Sequence, residues 1–269
     1  MIFISALFIR NLRLVYGRNI YLLITSGCAV TLAALGQWQW ALMYFSISLV
    51  IGLYREMEET GLSIFLGSAV AVLLTAGSGV LAIFGYSQMA NVPFYNILEE
   101  SLSPSLQALQ KVPQFKEATI QSVIGFLPSA VIILLMGVVF VSLTVSLVPL
   151  NQKQRFQLKM FHLPEFMIWV FILSLAGSFV KTQLGWLSLI SINVLGVALA
   201  AYFFQGLAVL SHFMDRLSIF GFWRWMVYFL VFFQAFFMIL LSLLGIVDYW
   251  WEFRSKGLSG SNQKSIDKV

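Results

Sequence analysis

From Leu184 to Met214 the chain carries no Asp, Glu, Lys or Arg, and the run is closed by Asp215-Arg216. As an α-helix this stretch extends on the order of 45 Å, more than the roughly 30 Å of hydrocarbon in a bilayer. A charge-free helix of that length belongs in a membrane. Its polar intruders, Asn193 and Gln205, then need partners, because an amide in hydrocarbon is costly unless hydrogen-bonded. The rest of the chain has the same character: 60% of its residues are hydrophobic, 10% are charged, and the mean hydropathy is +0.90. A soluble domain carries about 25% charge, so a sizeable water-facing domain is excluded. A transmembrane barrel would show alternating segments of about ten residues, whereas the apolar runs here are continuous. The reading is an all-α, polytopic transmembrane helical bundle.

Charges are expensive in hydrocarbon, so the gaps between them mark the spans. Asn19–Tyr54 is too long for one crossing and contains Gly36-Gln37-Trp38-Gln39-Trp40, an interfacial turn between helices at about Ile20–Leu35 and Ala41–Tyr54. After Arg55-Glu56-Met57-Glu58-Glu59 comes Gly61–Gln88, whose middle, Gly77-Ser78-Gly79, suits either close helix approach or a local break beside a site. The extended polar insert, residues 91–119, places Ser103 as an N-cap before Pro104, with Leu102, Leu106 and Leu109 on one face. It predicts an amphipathic helix lying on the membrane surface, as a connector or a lid. Spans follow at Ile120–Val148, from Pro164 to about Val180, at Gln183–Arg216 and at Trp225–Val247. The count is about seven, with Met1–Leu14 as a short or re-entrant further element. Residues 1–251 form one integral membrane domain and 252–269 a polar tail.

Alternating these spans places Arg10, Arg13, Arg18, Arg55, Lys153, Arg155, Lys159, Arg216 and Arg224 on one side of the membrane. Lys111, Lys116, Lys181, Arg254 and Lys256 fall on the other. The excess of basic residues marks the first side as cytoplasmic, and the insert as extracytoplasmic. The net charge of +5 reflects this basic side and its anionic lipid, and no nucleic-acid partner is expected. The single cysteine, Cys28, precludes an intrachain disulfide.

No Walker-type phosphate loop, no His-x-x-x-His pair and no Gly-x-Ser-x-Gly turn is present, so no ATPase, metal site, cofactor or enzymatic activity is expected. Asn193 and Gln205 are separated by about 18 Å along a helix and about 120° around it. They therefore face different neighbours. Gln205 shares its face with Ala198, Ala201 and His212; Asn193 shares its own with Gly196, Ala200 and Ser211. Each amide either ties helices together or contacts a ligand. Asp248, beside Tyr249-Trp250-Trp251, sits at headgroup level, pairing with Arg254 or binding a cation.

Three stretches resemble the C-terminal signature of the YybS-like bacterial membrane proteins: Phe161-His162-Leu163-Pro164-Glu165, Tyr202 to Ala208, and Leu244 to Arg254. Leu12 to Arg18 is similar to that family's N-terminal region. Family members usually begin with a full span, whereas only Met1–Asn11 precedes the first basic cluster here, so a first helix is either absent or lies upstream. The resemblance implies a protein of unknown function. It is similar in layout to the substrate-binding subunits of energy-coupling-factor vitamin transporters, which bind a small molecule and borrow an ATPase module. The expectation is a transport-related subunit of the bacterial cytoplasmic membrane that binds a small solute near Asn193, Gln205, Gly77, Ser78 and Gly79. Its partners would be the lipid bilayer and other membrane subunits. The alternative is a non-transporting membrane scaffold.

Overall fold

A computed structural model describes residues 2–111, 119–144, 161–180, 185–219, 221–251 and 253. Helices and short turns account for nearly all of them, and no strand occurs among the described residues. The contacts divide the chain into two compact units, residues 1–149 and 150–269.

The first unit begins with α1 (Ile2–Ala34), which joins the N-terminal element to the first expected span through a break at Gly17. There φ is 78° and ψ is −175°, a conformation open only to glycine. Gly36, with φ 76°, ends the helix, and the Gln37 amide reaches back to Leu32 O at 3.0 Å, a Schellman-type closure. The expected interfacial turn is therefore present. α2 (Trp38–Glu59) is closed in the same way by Gly61 and Leu62. Ser63 then caps α3 (Ile64–Ala90), accepting from the Leu66 amide. Ile47, Val50 and Ile51 of α2, Val72 of α3, and Val138 and Val139 of α5 (Ile120–Thr144) make the core.

The insert is helical and amphipathic, but its start is corrected. α4 runs Phe94–Gln110, with Pro93 at its N-cap and Pro104 inside it. Ser103 is no cap: its hydroxyl donates to Glu99 O in the preceding turn. Phe94, Ile97, Leu98, Leu102, Leu106 and Leu109 form the half-buried stripe. That stripe extends the leucine pattern two turns upstream, and burial of the longer stripe outweighs the proline.

The second unit contains α6 (Phe166–Phe179), α7 (Gly185–Arg216), α8 (Phe222–Phe233) and α9 (Ala235–Trp251). The expected hairpin turn at Lys181–Gly185 lies, but for Gly185, outside the described residues, as does the basic segment 151–160. α6 runs antiparallel to α7: Gly177 approaches Ser191 and the Leu163 amide meets Gln205. α9 runs parallel to α7. Ser242 meets Leu199, Gly245 meets Tyr202 and Asp248 meets Gln205, so contacts advance together along both helices.

The expected span Trp225–Val247 is broken in its middle. An unbroken helix returning from the end of α7 would be antiparallel to it. Instead the chain turns by 98° at Gln234, whose extended backbone separates α8 from α9. Among the described residues three helices, α3, α5 and α7, are long and apolar enough to cross a membrane, or four if the bent α8–α9 pair is one span. The other expected spans are shorter. α6 has 14 residues, and the charge-free parts of α1 and α2, bounded by the break at Gly17 with Arg18 and by Arg55, are each shorter than the roughly 20 residues of a full crossing.

Candidate functional site

The three C-terminal stretches that carry the family resemblance meet in space. Gln205, from the middle of α7, is fully buried. Its Oε1 accepts from the Leu163 amide at 3.2 Å, and its Nε2 donates to Asp248 Oδ2 at 3.0 Å. Asp248, near the end of α9, is also 0% exposed, and its Oδ1 accepts from the Phe253 amide at 3.2 Å. The His162 Nε2 stands 3.9 Å from Asp248 Oδ2, on a side chain that is 43% exposed. His162 Nδ1 lies 3.1 Å from Leu163 O.

Glycine makes this arrangement possible. A Cβ on Gly206 would lie 2.8 Å from Leu241 C and closer still to its oxygen, and a Cβ on Gly245 would lie 2.9 Å from Gly206 N. The backbones of α7 and α9 therefore touch at this crossing. Gly245 precedes Asp248 by one turn, and Gly206 follows Gln205, so the contact presses the amide against the carboxylate and excludes water from both. The Ser242 hydroxyl, one turn earlier, donates to Leu199 O at 3.1 Å across the same seam. Tyr202, fully buried, packs edge-on against Phe171 of α6.

The sequence-derived site residues disperse. Gln205 lies in the cluster, buried with Ala198 and Ala201 on the face expected for it. Asn193, three turns away, is half-buried and donates to Leu189 O of its own helix at 2.9 Å. Gly77, Ser78 and Gly79 belong to the other unit, on an exposed face of α3. The Ser78 hydroxyl turns back to Thr75 O, and a Cβ on Gly77 or Gly79 would meet nothing within 4 Å. The close-approach seams are instead Gly206–Gly245 and Gly177–Ser191. Asp248 is the centre of the buried cluster, and Arg254, the partner expected for it, lies outside the described residues. A Gly-x-x-Asp pattern opposite a Gln-Gly pair was the available signal: in each, a glycine shares a helix turn with a polar side chain.

A second polar cluster lies in the first unit. Arg13 pairs with Glu56 at 2.5 Å, and Arg18 approaches the same oxygen at 3.6 Å. Arg55 pairs with Glu58 and Glu59 at 2.6 and 3.1 Å. Burial works to lower the Arg55 pKa, but the two glutamates outweigh it and raise it. Arg10, almost wholly buried, donates through Nη1 to Ser142 O near the end of α5, a favourable place for a cation at a helix C-terminus. Its Nη2, and both polar atoms of Asn11, are buried without a partner among the described residues.

Long apolar helices, crossing backbone to backbone around buried polar clusters, define an all-α integral membrane protein. Residues 1–249 match the family described as "Predicted membrane protein (DUF2232)", and the chain belongs to that family. Neither the curated proteins nor the solved structures contain a match to it.

Proposed function

We propose that the protein is the small-solute-binding subunit of a transport system, multi-pass in the bacterial cytoplasmic membrane and without an ATPase of its own. One observation carries this reading. A carboxylate, Asp248, is fully buried in an apolar helix beside the Gln205 amide, with the half-exposed His162 at its edge. Ionisable groups inside membrane proteins are retained at a cost and mark solute or ion pathways. Asp248 supplies the negative charge and His162 the accessible edge, so the solute presents an N–H or a cationic group. The resemblance of Phe161–Glu165, Tyr202–Ala208 and Leu244–Arg254 to YybS-like proteins, and in layout to energy-coupling-factor substrate subunits, supports the same reading. On it the chain is not an enzyme, needs no cofactor, and takes its energy from a separate membrane subunit.

Purification of the full chain in mild detergent, followed by mass spectrometry of co-purifying small molecules and subunits, tests the proposal. A solute retained by the wild-type protein and lost from Asp248→Asn, with unchanged melting, supports it. Retention of neither solute nor partner subunit across several growth conditions overturns it.

The scaffold reading has an observation of its own. Both ends of the Gln205 amide are taken by internal partners, as expected of a group that ties helices. If that is its whole role, Gln205→Leu lowers the melting temperature without altering any retained small molecule.

A further inference from the structure

We infer that the groove between α1 and α2 binds one anionic phospholipid, with its headgroup phosphate at Arg18 and an acyl chain along the groove. The groove holds about 200 Å³. Leu22, Phe45, Leu49 and Leu53 form its walls, and Tyr21 and Gly52 its floor. Gly52 makes the depth, since a Cβ there would lie 3.1 Å from the Tyr21 ring. Leu22 is 52% exposed and Phe45 is similarly open, so the groove faces outward, to where lipid would lie.

The hydroxyl groups along this groove are already used. Tyr21 donates to Ser48 O, Thr25 to Tyr21 O at 2.8 Å, Ser26 to Leu22 O at 2.6 Å and Ser48 to Tyr44 O at 2.8 Å. With these donors engaged, a solute that must accept hydrogen bonds finds none of these hydroxyls free to donate, whereas a hydrocarbon chain requires none. Charge is offered only at the mouth, where Arg13, Arg18 and Glu56 stand.

The break at Gly17 creates this mouth. In a straight helix Arg13 and Arg18 would point about 140° apart; across the break both reach Glu56 Oε1. Within the whole cluster Arg10, Arg13, Arg18 and Arg55 face Glu56, Glu58 and Glu59, leaving one net positive charge. Arg10 is buried, Arg55 holds both Glu58 and Glu59, and Arg13 is closed over Glu56, with Glu59 at 3.9 Å. At the mouth itself Arg13 and Arg18 share the single carboxylate of Glu56, and the exposed member of the three is Arg18, whose side chain is 66% exposed. A basic, exposed mouth above an apolar, satisfied groove is complementary to an anionic amphiphile.

The test uses the full chain, delipidated and reconstituted into nanodiscs with equal amounts of phosphatidylglycerol and phosphatidylcholine, with retained lipid counted by native mass spectrometry. The wild-type protein should keep one phosphatidylglycerol in preference to phosphatidylcholine. Arg18→Gln should lower that retention by about fivefold, the contribution of one basic residue near an anionic headgroup. Leu22→Trp, at a position 52% exposed, should lower retention of both lipids by filling the groove while leaving the melting temperature unchanged. Equal retention of the two lipids by the wild type overturns the inference. So does an Arg18→Gln protein that retains phosphatidylglycerol unchanged, retention insensitive to Leu22→Trp, or a dimer that Leu22→Trp dissociates.

Discussion

A single amide, Gln205, connects three separate parts of the second unit: the Leu163 backbone, α7 and the Asp248 carboxylate. Replacing it with Leu leaves the Leu163 N–H without this acceptor and the carboxylate without this donor, both in a dry site. The unsatisfied N–H alone costs about 1–3 kcal/mol. Gln205→Leu should therefore lower stability by at least that much, seen as a fall in melting temperature followed by tryptophan fluorescence. Asn11 is the opposite case. Both of its polar atoms are already buried without partners among the described residues, so Asn11→Leu removes a cost instead of adding one. Its melting temperature should equal or exceed that of the wild type, and a fall would mean that Asn11 has a partner in the membrane. Gln205 was legible in the sequence because an amide in a charge-free run must find a partner. Its partners were not: Asp248 beside Tyr249-Trp250-Trp251 has the pattern of an interfacial residue, and only the approach of α7 covers it.

At the scale of the element, the seam between α7 and α9 rests on two glycines, and the same residue type does nothing comparable in α3. A Cβ on Gly206 or Gly245 would press on backbone atoms at less than 3 Å, and backbone cannot swing aside as a flexible side chain can. Gly206→Ala and Gly245→Ala should each destabilise the protein by about 1–3 kcal/mol or more, the usual range for overpacking. They should also displace Asp248 from Gln205. Gly77→Ala and Gly79→Ala meet open space, and alanine is the better helix former by up to about 1 kcal/mol. Those two proteins should melt at or above the wild-type temperature. Comparison of the four melting curves separates a packing seam from a bare small-residue stretch. Gly77-Ser78-Gly79 and Gly206/Gly245 are alike in composition, and what distinguishes them is which helix lies opposite, a tertiary fact. The helices themselves were largely legible, since caps and breakers are local: Gly36, Gly61 and Ser63 end or begin them as their chemistry dictates. The start of α4 was misplaced because the apolar stripe, not the cap residue, decides where an amphipathic helix begins.

At the scale of the whole molecule, the parallel course of α7 and α9 changes the topology that alternating spans imply. Alternation puts Arg216 and the residues after Trp251 on opposite sides. In the second unit, however, the Phe253 ring lies 5.9 Å from the Phe213 ring, one turn before the end of α7. The chain therefore leaves α9 at the end of the unit where α7 finishes, and Arg254 and Lys256 follow directly from there in sequence. The end of α9 therefore falls on the side of Arg216 and Arg224, where the alternating count sets it opposite them. The chain contains one cysteine, Cys28, so a Cys28→Ser background allows single reporters. Leu217→Cys, 70% exposed just beyond α7, and Ser255→Cys, two residues beyond Phe253, are suitable sites. A membrane-impermeant maleimide applied to sealed vesicles of one orientation should modify both or neither, and vesicles of the opposite orientation should reverse the result for both together. Labelling of Leu217→Cys and Ser255→Cys from opposite sides would show that α9 runs antiparallel to α7 in the bilayer. Asp248 could not then lie level with Gln205, and the buried cluster would be lost along with the parallel pair.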